Sequence, residues 1–156
     1  MKQYKHTAFL AIFLFPVFLL GQNAGKATME KDTALARALG ADDYGMKQYV
    51  MAFLKAGPNR SQSKEEAQQL QKAHMDNIQR MADEGSLVVA GPFLDGGDIR
   101  GIYIFDVKTV EEAQALTETD PAIKAGRLTM ELHPWYGPAA LMKVKEISDQ
   151  LPTKEF

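Results

Sequence analysis

Apolar residues in this chain fall into short continuous runs, helical stripes and one alternating stretch. The run Tyr49-Val50-Met51-Ala52-Phe53-Leu54, closed by Gly57-Pro58, predicts a strand. Ser63-Lys64-Glu65-Glu66 then has the pattern of a capping box, in which the Ser hydroxyl and the Glu carboxylate satisfy each other's free backbone N–H groups at a helix start. Ala67, Leu70, His74, Ile78 and Met81 follow at steps of three and four, which puts them on one helical face, and Gly85 is the stop. Leu87-Val88-Val89-Ala90 predicts a second strand and the segment from Ile99 to Val107 a third. Between them Asp95-Gly96-Gly97-Asp98 reads as a hairpin turn, because glycine tolerates the positive φ that such turns need. Thr109-Val110-Glu111-Glu112 is a second capping box opening a helix with Ala113 and Leu116, which Asp120-Pro121 breaks. A short turn is expected up to Gly126, and the alternation from Leu128 to His133 predicts a half-exposed strand.

The predicted order is β-α-β-β-α-β, the ferredoxin-like arrangement of an α+β domain. Strands one and three are apolar at consecutive positions, so both of their faces call for burial. Two helices cover only one face of such a sheet. The other face calls for a second copy of the same sheet, which implies a homodimer, or for the tether or tail folding over it.

Composition then narrows the function classes. The chain has 156 residues, a net charge of -2 and no cysteine, which indicates one domain without disulfides, thiolate chemistry or a lipidated cysteine. A slightly acidic balance lacks the basic footprint of a nucleic-acid binder. Arg100-Gly101 on the third strand has the start of an RNA-binding signature, but Ile102 stands where a base-stacking aromatic is needed. Lys2 and Lys5 precede the apolar run AFLAIFLFPVFLL, which is shorter than the ~20 residues of a membrane span. That combination reads as a signal peptide over residues 1–21, with a retained N-terminal anchor as the alternative. Cleavage after Gly21 or after Ala27 fits, and losing residues 1–21 takes the charge from -2 to -4, since Lys2 and Lys5 are their only charges. The expected organisation is a signal at 1–21, a tether at 22–45 holding one weak helical turn with Leu35 and Leu39, a domain at 46–140 and a tail at 141–156. The protein is then periplasmic or secreted, with no membrane association after cleavage.

His74 interrupts an apolar stripe, so its ring should point at the sheet, where a buried imidazole needs partners for its nitrogens. Asp120 could take one ring N–H, fix the tautomer and favour the imidazolium, leaving the other nitrogen to move a proton. The plainer alternative is a core histidine satisfied by a carbonyl, with Asp120 ending a helix. His74 and His133 lie far apart, without a cysteine or carboxylate at ligand spacing for a metal site. No nucleophile elbow or phosphate-cradling loop occurs. Glu131, His133 and Trp135 share one face of the last strand, either an exposed edge face or the rim of a pocket.

The chain resembles the YCII-related family over roughly Met46 to Gly137. The residues that carry the resemblance are His74, the run Glu84-Gly85-Ser86-Leu87-Val88-Val89-Ala90-Gly91-Pro92, the stretch around Asp120-Pro121 up to Gly126, and His133-Pro134-Trp135-Tyr136. The resemblance implies a ferredoxin-like fold that pairs into a dimeric α+β barrel. It also implies an active-site pair formed by His74 and Asp120. The implied activity is cofactor-free acid-base chemistry on a small organic molecule, such as elimination or isomerisation. Family members often carry Arg where this chain has Gln71, and aromatics where it has Leu116 and Ala122. The alternative function is a non-catalytic dimeric module that binds a small ligand.

The charge and apolar pattern of the first 21 residues yields one prediction. Mass spectrometry of protein recovered from an exporting host should show an N-terminus between Gln22 and Thr28. Membrane-bound protein of full-length mass would contradict export with cleavage.

Overall fold

The computed structural model describes residues 31–152; the expected signal over 1–21 and the tether up to residue 30 lie outside the described residues. A short helix α1 (Thr33–Ala38) comes first, capped by Asp32, whose side chain accepts from the backbone N–H groups of Ala34 and Leu35. Asp42 then shapes a turn by accepting from Tyr44 N and Met46 N. From there the chain runs through β1 (Met46–Ala56), α2 (Lys64–Asp83), β2 (Leu87–Pro92), β3 (Ile99–Phe105), α3 (Val110–Thr117), α4 (Pro121–Lys124) and β4 (Leu128–Pro138). The four strands form one antiparallel sheet in the order β2-β3-β1-β4. Apart from α4, a one-turn helix where a turn was expected, this is the β-α-β-β-α-β succession read from the sequence.

The register shows how the two sheet faces divide. Val50 opposes Phe105, Ala52 opposes both Tyr103 and Leu132, and Leu54 opposes Gly101 and Met130. With period two along each strand, these residues share the face that the helices cover. Val50, Ala52, Leu54, Leu87, Tyr103 and Phe105 form one buried cluster with Met81 of α2 and Ala113 of α3. The opposite face carries Tyr49, Met51, Phe53, Val89, Ile102, Ile104, Glu131, His133 and Trp135. At one end of it Tyr49 is fully buried, and its hydroxyl donates to Pro138 O. Lys47, 5.8 Å from the centre of that ring, pairs with Asp106 and reaches the Met142 sulphur at 3.6 Å. Met142 belongs to a 3-10 turn (Ala139–Lys143) that leads into α5 (Val144–Ser148), and both contact the sheet. The tail thus docks at the Tyr49 end, while Met51, Phe53, Val89 and Ile102 remain only part-buried.

β4 runs five residues beyond the predicted strand and includes Pro134 opposite Val50. β4 lies at the sheet's edge, where proline's missing N–H leaves no inner ladder bond unmade. At the other end of β1, Gly57 N donates to Arg127 O at 2.8 Å. A methyl group on Gly57 would overlap Gly126 O, so glycine is needed for this close approach. The contact anchors the turn that follows α4, and with it the segment carrying Asp120.

Candidate active site

Three elements bring their side chains together between the helices and the sheet. Helix α2 forms because its first turn is closed by the predicted capping box: Ser63 N donates to Glu66 Oε2 at 2.8 Å and Glu66 N to Ser63 Oγ at 3.1 Å. It ends where Gly85 takes φ of 77°. Its buried residues are His74, Asn77 and Met81, so two of the three are polar. The Thr109–Glu112 capping box likewise opens α3. Asp120 then caps the next helix as well as closing this one. It is extended, Pro121 occupies the first helical position of α4, and Asp120 Oδ1 accepts from Ala122 N at 2.8 Å. The third element, β3, presents Tyr103 to the same space.

His74 Nδ1 lies 2.5 Å from Asp120 Oδ2. A carboxylate accepts, so the proton of this bond sits on Nδ1 and the lone pair of the neutral ring on Nε2. Asp120 is fully buried and the His74 side chain is 9% exposed, so water competes little for the bond. On the other side of the ring, Nε2 faces the Tyr103 hydroxyl at 3.4 Å, and the two rings are near-parallel at 18°. Burial pushes the Tyr103 phenol well above its ordinary value of 10.0, and the Asp120 charge acts in the same direction. Tyr103 therefore remains a proton donor at neutral pH. The result is a line of three groups, Asp120–His74–Tyr103, tightly bonded at one end and loosely at the other. Among the described residues, no buried side-chain nitrogen or oxygen lacks a hydrogen-bond partner.

An open groove of about 650 Å³ lies along the first half of α2, lined by Asn59, Ser61, Gln62, Glu66, Gln69, Leu70, Ala73 and Ala125. Neither His74 nor Asp120 lines it, although Leu70 precedes His74 by one helical turn. His133 stands apart from the pair. It is exposed on the sheet face away from the helices, bonded to Glu131 at 2.9 Å and edge-on to Phe53. Among the described residues there is no group of three His, Asp or Glu side chains placed to hold a metal ion.

Sequence reasoning had not singled out Tyr103 or Asn77. For Tyr103 a signal was present: a phenol inside the apolar strand IRGIYIF needs a hydrogen-bond partner once buried. Asn77 lies three residues after His74 and four before Met81, on the same buried helical face, so its spacing carried a signal as well: a second polar residue on the stripe that faces the sheet.

The fold and site together define a ferredoxin-like α+β domain with a buried histidine–aspartate pair between helix and sheet. The chain belongs to the YCII-related domain family, whose profile matches residues 49–135. Among solved structures it is similar to the 5-chloro-2-hydroxyhydroquinone dehydrochlorinase of Burkholderia phenoliruptrix AC1100, in complex with 2,5-dihydroxybenzoquinone. The two share 22% identity over 57% of this chain and 93% of that one, with a TM-score of 0.42. No curated protein matches the chain.

The raised Tyr103 phenol links stability to alkaline pH. In the unfolded chain this tyrosine loses its proton near its ordinary value of 10.0, while the folded protein retains it. The stabilisation is therefore complete below that value and declines as pH rises past it, by about 1.4 kcal/mol per pH unit for this group. Urea denaturation from about pH 8 to about pH 11 should show a steeper decline in wild type than in Tyr103→Phe. Parallel profiles would mean that Tyr103 titrates as freely in the folded state as in the unfolded one.

Proposed function

We propose that this domain catalyses proton transfer on a small organic molecule, with His74 as the base and Asp120 as its orienting partner. The observation that supports the reading is the asymmetry of the His74 ring. Nδ1 is held at 2.5 Å by a fully buried carboxylate, whereas Nε2 has only a 3.4 Å contact. An imidazole held in this way has its tautomer set, and its second nitrogen, bound only by the long Tyr103 contact, keeps a lone pair that can accept a proton.

The chemistry follows from that arrangement. Nε2 takes a proton from a carbon or hydroxyl of the substrate, and the electron pair of the broken bond moves into the substrate. In an elimination that pair forms a double bond and expels a leaving group from the adjacent carbon. In an isomerisation the imidazolium returns the proton at another position. The Asp120 charge stabilises the imidazolium between the two steps, and Tyr103, still protonated, can donate to oxygen that becomes negative. None of these steps requires a cofactor.

The test is made in D2O with a panel of small carbonyl acids and their halogenated and hydroxylated analogues, followed by proton NMR. Wild type should exchange or eliminate protons on at least one compound, and His74→Gln should be slower by about a hundredfold or more. Equal rates in the two proteins would exclude His74 as the base. A second reading, a non-catalytic small-ligand module, draws support from the complete hydrogen bonding of the buried groups. Thermal stabilisation by a compound that never reacts would favour that reading.

We further infer that the protein acts as a homodimer stacked through the sheet face opposite the helices, and that it is exported. Met51, Phe53, Val89 and Ile102 on that face are only part-buried by the chain itself, and stacking a second copy would remove them from water. Export rests on the pattern of the first 21 residues; no helix among the described residues is long and apolar enough to cross a membrane. Light scattering of the mature domain should give twice the chain mass, and Ile102→Lys should give a folded monomer by circular dichroism. A wild-type monomer at micromolar concentration would count against stacking.

A further inference from the structure

The strength of the His74–Asp120 bond depends on how α2 and the α3–α4 junction are held together. One turn along α2 from His74, Asn77 is buried with its Oδ1 facing the residue that precedes Asp120. Thr119 Oγ1 lies 3.1 Å from Asn77 Oδ1 and 2.7 Å from Leu116 O, so its single proton has two acceptors. Arg80 closes the group: Nη2 donates to Asn77 Oδ1 at 2.9 Å and to Thr119 Oγ1 at 3.0 Å, and Nη1 donates to Glu84 at 2.6 Å. The proton-transfer mechanism uses none of these side chains.

We propose that Asn77, Arg80 and Thr119 are positioning residues that set the distance between His74 and Asp120. The proposal rests on the reading of that pair as the working site. His74 and Asn77 are three apart on α2, and Asp120 and Thr119 are adjacent in the chain. The junction is thus bound to one helix face at two points. Gly57 anchors the far side of α4. The Asn77–Thr119 contact fixes the near side, just ahead of Asp120, and keeps the carboxylate in line with Nδ1. Asn77 suits this place because one amide oxygen accepts from both Arg80 and Thr119 while its NH2 points at the Met81 sulphur, 4.0 Å away. A leucine would fill the space without holding the junction. Thr119 suits its place because its hydroxyl receives from Arg80 while donating to a neighbour.

The His74 ring proton reports the effect without a substrate. In wild type the Nδ1–H should resonate far downfield and exchange slowly with solvent. Thr119→Val keeps the shape and removes the hydroxyl, so exchange of that ring proton should be faster by about tenfold or more. Thr119→Ser restores the hydroxyl and should behave as wild type. Asn77→Leu should behave as Thr119→Val, while the backbone amides of β1 and β3 keep their protection in all three variants. Ring-proton exchange unchanged in both Thr119→Val and Asn77→Leu would overturn the proposal, with the group then only joining helix to turn. Failure of the underlying pair looks different: wild type itself would lack the downfield proton, or Asp120→Asn would leave it unaltered.

Discussion

A fully buried carboxylate is the constraint around which this domain is arranged. An ionised Asp120 without partners would cost several kcal/mol, so its position obliges the neighbouring elements to supply donors. One comes from its own segment, the Ala122 N–H at the start of α4. The other is the His74 ring, carried on a helix that must lie close enough to place Nδ1 at 2.5 Å. The path of α3 into α4, the approach of that junction to α2 and the burial of a histidine in an apolar interface all serve these two bonds. Gly57 bonds to the turn after α4 and Asn77 to the residue before Asp120, so the short helix is tied on both sides.

The domain places its buried polar groups on one face of the sheet and leaves apolar surface on the other. Tyr103 belongs to the helix-covered face, where it packs edge-on against Phe105 and turns its hydroxyl to the imidazole. Ile102 and Ile104, its neighbours on β3, face the other way. Changes on the open face therefore need not touch the histidine, and changes around the histidine can leave the open face intact. The tail reaches one end of that face, where Lys47, Asp106 and Met142 meet. The centre of the face receives no such cover from the described residues of the tail.

Membership of the YCII-related family and the geometry of the pair are separate lines of support for the proposed chemistry. The family assignment rests on residues 49–135 as a whole. The geometry adds what a sequence profile does not contain: which ring nitrogen is held, how completely water is excluded, and that a phenol faces the free nitrogen. A protonated Tyr103 suits donation to a developing anion better than proton abstraction, since burial and the Asp120 charge both oppose its ionisation.

Much of the fold was legible in the sequence because its signals are local. The two capping boxes, the glycine stop at Gly85 and the apolar runs of β1 and β3 each depend on residues a few positions apart, and local backbone physics decides them. His74 was legible as an anomaly in a helical stripe, and Asp120 as the residue before a proline. Their pairing was raised from the chemistry of a buried imidazole and from the family resemblance, but its geometry was not legible, because it joins positions 46 residues apart and depends on the packing of two helices. The partners of Tyr103 and Asn77 became visible only with the tertiary structure, since a phenol in an apolar strand and an amide on a buried helical face signal that a partner is needed without saying which. The end of β4 and the docking of the tail were decided in the same way. The alternation that marks β4 ends at His133, and the position of β4 at the sheet edge, with no further strand requiring the N–H that Pro134 lacks, lets the ladder continue through it.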